Sequence, residues 1–339
     1  MVVSTPSSEP ALRVLRRDDV LAAAVDVDPV ASVEATLLLH ARGATTLPDE
    51  AYLPWHTASG AFARSLALPG AVWGDRPAVG LKVINSSLDN PSRGLPRAQG
   101  WTFLFDPDTA RPIAMLSAAW ISATRTAAYT VLSARRLAAP GLDRIAVLGC
   151  GALAESHLDL LRVDHPDASV VVYDQDPARA RSLAALRRAE VADDPRTAVE
   201  GAGLVVCTTT TTTGYIALDW LAPGALVAHV SLDDVLPEVA TGADLVVVDD
   251  WPLIAADDRR LFGRMLREGT LCGPGESAPG ARAVDATLAD VVAGRHPGRA
   301  KDTDVVLSNP FGMGVLDVAL AADVYDAALA RDLGTVLEP

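Results

Sequence analysis

The stretch RIAVLGCGALAESHLDLL, Arg144–Leu161, changes character at its glycines. Before Gly149 stands a short apolar run of strand type; after Gly151 the apolar residues recur at helical spacing. Gly149, Gly151 and Ala154 have the spacing G-x-G-x-x-A at that junction. Such a turn lets the backbone come close to a pyrophosphate, and the free N–H groups of the first helical turn, at Ala152 and Leu153, favour its charge. The next apolar run, SVVVYD, ends in Asp174, near the ~20-residue offset at which an acidic residue meets the adenosine ribose diol. A carboxylate there repels a 2′-phosphate, and no arginine directly follows in YDQDP, so the pattern favours NAD over NADP.

Outward from this stretch, GLVVCT, ALVAHV and DLVVVDD are further β-branched runs, separated by helical segments. Their alternation predicts a doubly wound parallel sheet covered on both faces, a Rossmann domain over residues 134–312. Thr208 opens a run of threonines at a strand's carboxyl end, where such sheets bind ligands, and is a candidate cofactor contact. Residues 1–133 read differently. A loose tail leads into a strand at ALRVL, and RDDVLAAAVDVDPVASVEATLLLHARG gives two helices broken at DVDP. The short runs AFARSLAL, AVGLKVI, WTFLF and PIAML then predict an antiparallel sheet. One long amphipathic helix, within residues 313–339, closes the chain and is expected to complete this α+β domain.

Composition narrows the function. Of 339 residues, 50% are hydrophobic, enough for two cores, and the net charge of −14 argues against nucleic acid or an anionic membrane as partner. The three cysteines, Cys150, Cys207 and Cys272, show neither disulfide nor zinc spacing, and the histidines show no metal-ligand spacing. With no apolar leader or spanning run, the chain reads as soluble and cytoplasmic, with no metal. In such an acidic chain an anionic small molecule needs local cations. Lys82 shares a strand face with Gly80 and Ile84, Arg97 stands in the loop RGLPRAQG, and Arg125 sits in the small-residue helix WISATRTAAYT. Inward-facing cations need anions, and a substrate carboxylate held by guanidinium forks would supply them.

ISATRTAAYTVLSARRL, GLPRAQGWTFLFDPDTARPIAML, VLGCGALAESHL and NPFGMGVLDVALA together resemble the ornithine cyclodeaminase/μ-crystallin family, in order over nearly the whole chain. HVSLDDVLPEV is most similar to the branch that oxidises N-(2-amino-2-carboxyethyl)-L-glutamate to 2-oxoglutarate and 2,3-diaminopropionate for siderophores and peptide natural products. The resemblance implies an NAD-dependent dehydrogenase acting on CH–NH and a homodimer formed through the sheet of the first domain. It also implies that Lys82 and Arg125 bind the substrate α-carboxylate. Asp234, with Asp233 beside it as the alternative register, is the acid/base residue on this reading, its pKa raised by partial burial. Thr126 and Ser231 complete the candidate cofactor set. A cyclodeaminase or ketimine reductase on a related amino acid is the alternative, and a nucleotide-holding crystallin a third. The chain departs from the family pattern at Ser117, at SLDN after the lysine, and at Gln99–Gly100.

Overall fold

The computed structural model describes residues 12–338; the predicted N-terminal tail lies outside them. The chain divides into two compact units, one of Met1–Ser122 with Gly314–Pro339 and one of Ala123–Met313. The division falls inside the helix Ala118–Leu137, between Ser122 and Ala123.

The first unit is built on an eight-stranded sheet. Phe62–Val72, Ala78–Ser87, Ala98–Phe105 and Pro112–Ser117 form the expected antiparallel meander. Three features depart from the sequence reading. Leu12–Leu15 adds parallel to Pro112–Ser117, so the sheet is mixed. Ala51–His56 is a further strand, paired with Phe62–Val72; Pro54 hid it, because proline lacks a ladder donor and is tolerated at an edge. The last helix spans Gly314–Ala330 and gives way to Thr335–Leu337, a strand that pairs with Leu12–Leu15. Nor is this helix amphipathic: Val315, Leu316, Val318, Leu320, Ala321 and Val324 are all buried. It runs between the sheet and the helices Arg17–Ala24 and Pro29–Ala41, and a helix covered on several sides is apolar round most of its girth. The sheet's other face carries the exposed Leu53, Trp55 and Trp101.

The second unit is the predicted doubly wound domain. Across its parallel sheet the strands stand in the order Glu190–Val191, Ser169–Tyr173, Arg144–Leu148, Leu204–Cys207, Leu226–His229, Val306–Asn309, Leu245–Val248 and Ala286–Thr287. From Arg144–Leu148 the chain first winds toward one edge and then returns to the other side. The switch point therefore lies between Arg144–Leu148 and Leu204–Cys207, where ligands bind outside the strands' carboxyl ends. Every residue of Leu204–Cys207 and Leu226–His229 is buried, which is why those runs are continuous rather than alternating.

Candidate functional site

At the switch point the glycine loop meets the next strand end. Gly149 has φ +89°, and a Cβ there would lie 2.9 Å from Thr208 C and Thr209 N. Thr208 binds back: its hydroxyl donates to the carbonyls of Leu148 (3.1 Å) and Gly149 (2.8 Å), so it braces the loop. Asp174 does the same from the other side, accepting the N–H of Cys150 at 2.7 Å and that of Asp176 at 2.9 Å. Burial, with the Asp174 charge beside it, pushes the Cys150 thiol up to about 12, so it is an inert filler. Gly151 is different. It precedes the helix Ala152–Asp164, and a side chain there would meet no protein atom within 4 Å. The surface beside exposed Gly151 and Ala152 and half-buried Leu153 is therefore open at the start of the helix, which fits a dinucleotide there.

Beyond the strand Leu226–His229, adjacent aspartates take separate paths. Asp233 forms an ion pair with Arg264 at 2.8 Å. Asp234 is 0% exposed and receives the hydroxyls of Thr209 (2.7 Å), Tyr215 (3.0 Å) and Ser231. Its backbone N–H donates to His229 Nε2 at 3.0 Å, and its carbonyl accepts from the N–H groups of Tyr215 and Ile216. Burial by itself raises the Asp234 pKa, the Ser231 and Thr209 hydroxyls lower it, and the carboxyl lies below the ordinary range. The raised pKa expected from burial is therefore corrected: the donors around the carboxylate, which the sequence scattered over residues 209–231, decide the sign. Ser231 is committed to this network.

Arg125 and Thr126 are half-buried on the helix Ala118–Leu137. Beneath Arg125 lies Gly312, at φ +110°, whose Cβ would stand 3.3 Å from the guanidinium. That backbone is pinned by Asp249, which accepts the N–H groups of Phe311 (2.8 Å) and Gly312 (2.7 Å). Arg260 adds a hydrogen bond to the Phe311 carbonyl at 2.6 Å. Sequence reading missed Asp249; its signal was an acid at the end of DLVVVDD.

In the first unit Lys82 is 2% exposed, and its Nζ lies 2.8 Å from Asp317 Oδ2 and 3.2 Å from Ser122 Oγ. The anion expected from a substrate is for this cation supplied by the chain. Asp317 was legible only as an acid inside the apolar run GVLDVALA. Arg97 is exposed on its loop. Ser117, one of the departures, ends the strand Pro112–Ser117 opposite Trp101. The remaining two, SLDN and Gln99–Gly100, lie around the strand Ala78–Ser87, Gln99 facing Asn85 and Gly100 facing Ile84.

His157 ties the helix bearing Arg125 to the glycine-loop helix. Its Nδ1 donates to the Leu153 carbonyl (2.8 Å), which leaves Nε2 to accept from the Thr130 hydroxyl (3.0 Å). Burial lowers its pKa to about 4. The unfolded chain, with an ordinary histidine, binds the proton first, so stability falls as pH drops from about 6.5 toward 4, by about 3 kcal/mol in all. His157→Gln is expected to flatten that slope in thermal melts taken between those pH values; an unchanged slope removes His157 as its source.

The sequence pattern of the ornithine cyclodeaminase/mu-crystallin family matches residues 13–332. N-((2S)-2-amino-2-carboxyethyl)-L-glutamate dehydrogenase of Staphylococcus aureus is 34% identical over 319 residues, 91% of this chain and 92% of that protein. The crystal structure of CmnK superposes with a TM-score of 0.90 at 43% identity, over 97% of this chain and 98% of the other. An archaeal alanine dehydrogenase dimer with bound NAD superposes with a TM-score of 0.82 at 23% identity, over 97% and 99%. A match that spans both units and includes the switch-point loop leaves one assignment: the chain belongs to the ornithine cyclodeaminase/mu-crystallin family.

Proposed function

We propose that this protein is an NAD-dependent dehydrogenase that oxidises N-(2-amino-2-carboxyethyl)-L-glutamate and releases 2-oxoglutarate and 2,3-diaminopropionate, a building block for siderophores and peptide natural products. The observation that carries the reading is the switch-point glycine loop, with its unfilled space at Gly151, in a chain 34% identical to a dehydrogenase of that substrate. A bound NAD would supply the acceptor for the hydride on the glutamate Cα. As the hydride leaves, the amine nitrogen releases its proton to solvent and the C–N bond becomes an imine; water adds to it, and the carbinolamine collapses to the keto acid as the primary amine leaves with the proton that Asp234 took from the water. Gly149, Gly151, Ala152 and Leu153 would hold the pyrophosphate, Asp174 the ribose and Thr126 the rest of the cofactor, with Thr208 bracing the loop and Ser231 given over to Asp234. Arg125 would bind the α-carboxylate; Lys82, buried against Asp317, would serve through that pair rather than by touching the substrate.

Asp234 is the proton acceptor. Its low pKa keeps it ionised at neutral pH, as a base must be. Because it is fully buried, the proton of the attacking water reaches it through the Ser231 hydroxyl. The protein is also proposed to work as a homodimer through the sheet face carrying Leu53, Trp55 and Trp101. Light scattering is expected to give twice the chain mass for the wild type and the single mass for Trp101→Glu; a monomeric wild type ends that proposal.

The deciding experiment mixes protein and NAD with N-(2-amino-2-carboxyethyl)-L-glutamate, and with ornithine in parallel, and follows the near-ultraviolet absorbance of NADH. Growth with the first alone is expected, with kcat about a hundredfold lower or more in Asp234→Asn. No NADH from the first substrate, or proline formed from ornithine, overturns the reading.

A further inference from the structure

The loop that follows the strand Val306–Asn309 is held from two sides. Phe311 and Gly312 present consecutive N–H groups to one carboxylate: Asp249 takes the first on Oδ1 at 2.8 Å and the second on Oδ2 at 2.7 Å. Oδ1 also accepts the N–H of Asp250 at 2.8 Å. Asp249 is 1% exposed, so bulk water cannot stand in for it. Arg260 closes on the same loop: besides its bond to the Phe311 carbonyl, its guanidinium carbon lies 4.2 Å from the centre of the Phe311 ring. Acid and base together fix the two peptide groups in one orientation.

That orientation is what Arg125 meets. A Cβ on Gly312 would stand 3.3 Å from Nη1, 3.4 Å from Nη2 and 3.8 Å from Cζ of Arg125. Near-equal distances to the two nitrogens, with the carbon farther away, describe a point in front of the planar fork rather than above its face. The loop therefore abuts the tip of the guanidinium, in the room left by the side chain that Gly312 lacks. At φ +110° the backbone there is one that glycine adopts readily and other residues do not. Tyr129, four residues after Arg125 and so on the same helix face, also senses Asp249: burial, and then the Asp249 charge, push its hydroxyl well up. Asp249 thus lies on the side of the helix that carries Arg125.

We infer that Asp249 is a positioning residue for Arg125: it fixes the Phe311–Gly312 backbone against which the tip of the fork bears, and with it the direction in which Arg125 meets a carboxylate. Asp249 itself is buried and touches no ligand. An arginine side chain has several free torsions, and a bidentate contact needs the fork aimed; a rigid stop at its tip removes that freedom before the ligand arrives. The inference rests on the proposed function only in taking Arg125 as the seat of a carboxylate, and is independent of which amine is oxidised.

The test is calorimetric binding of 2-oxoglutarate to the NADH-loaded protein, with NADH binding measured alongside. In Asp249→Asn the amide keeps one acceptor oxygen and turns its own N–H groups toward a backbone N–H, so one of the two loop donors is stranded and the loop shifts. 2-Oxoglutarate is expected to weaken about tenfold, with NADH bound as in the wild type. Gly312→Ala, which presses on the fork directly, is expected to give the same pair of results and reads the contact even if Asp249→Asn folds poorly. In an Arg125→Lys background, where the charge remains and the fork is gone, Asp249→Asn should weaken 2-oxoglutarate less than about threefold further. Equal 2-oxoglutarate binding by the wild type and both variants, an equal loss for NADH, or a loss as large in the Arg125→Lys background as in the wild type overturns the inference. No binding by the wild type removes Arg125 as a carboxylate seat and the role of Asp249 with it. Turnover separates this from the proposed function: loss of 2-oxoglutarate in the variants of a protein that does not oxidise N-(2-amino-2-carboxyethyl)-L-glutamate keeps the role of Asp249 and removes the proposed substrate, whereas turnover with unchanged 2-oxoglutarate binding in the variants does the reverse.

Discussion

Asp317→Asn is expected to lower the protein's stability by about 3–5 kcal/mol, because it strands a buried ammonium. Lys82 and Asp317 are 2% and 0% exposed and stand 2.8 Å apart. Neither ion reaches bulk water, so removing one charge leaves the other with its full desolvation cost and little screening to offset it. At about 2–4 °C per kcal/mol for a unit of this size, thermal melting should shift down by roughly 10 °C. The double variant Lys82→Met with Asp317→Leu is expected to recover most of that loss, since apolar groups of similar volume tolerate burial better than a broken pair. A melting temperature unchanged in Asp317→Asn would mean that the ammonium does not depend on this carboxylate, and the pair would lose its structural role.

Gly149→Ala is expected to weaken NAD by about a hundredfold, read by quenching of protein fluorescence on NADH binding. Two costs act together. The residue sits at φ +89°, where an L side chain is strained by about 1–2 kcal/mol, and its Cβ would press on Thr208 and Thr209 backbone atoms at 2.9 Å. Backbone does not yield as a flexible side chain does, so the strand ends must part and the loop loses its shape. Gly151→Ala separates this from a direct ligand effect. With no protein atom within 4 Å of the added methyl, it should leave the melting temperature alone and still weaken NADH. If Gly151→Ala binds NADH as the wild type does, the space at Gly151 is not where the dinucleotide lies.

Sequence alone determined what neighbouring residues settle among themselves. The glycine loop, the buried runs of the parallel sheet and the paired N-terminal helices depend on periodicity and turn chemistry within a few residues, and the structure has them where the patterns lie. The doubly wound order followed, because parallel strands joined through helices have few ways to stack. Tertiary structure decided where charges end. Lys82 and Asp317 are 235 residues apart in the chain, and no local pattern announces that a cation in one strand meets an acid in the last helix. The sign of the Asp234 shift depended on hydroxyls from Ser231 and Thr209, the latter brought in by the loop that follows the neighbouring strand. The final helix looked amphipathic until a sheet and two helices closed around it. Backbone periodicity is a local property, whereas solvation and pairing of charge belong to whatever the completed fold places within a few ångströms.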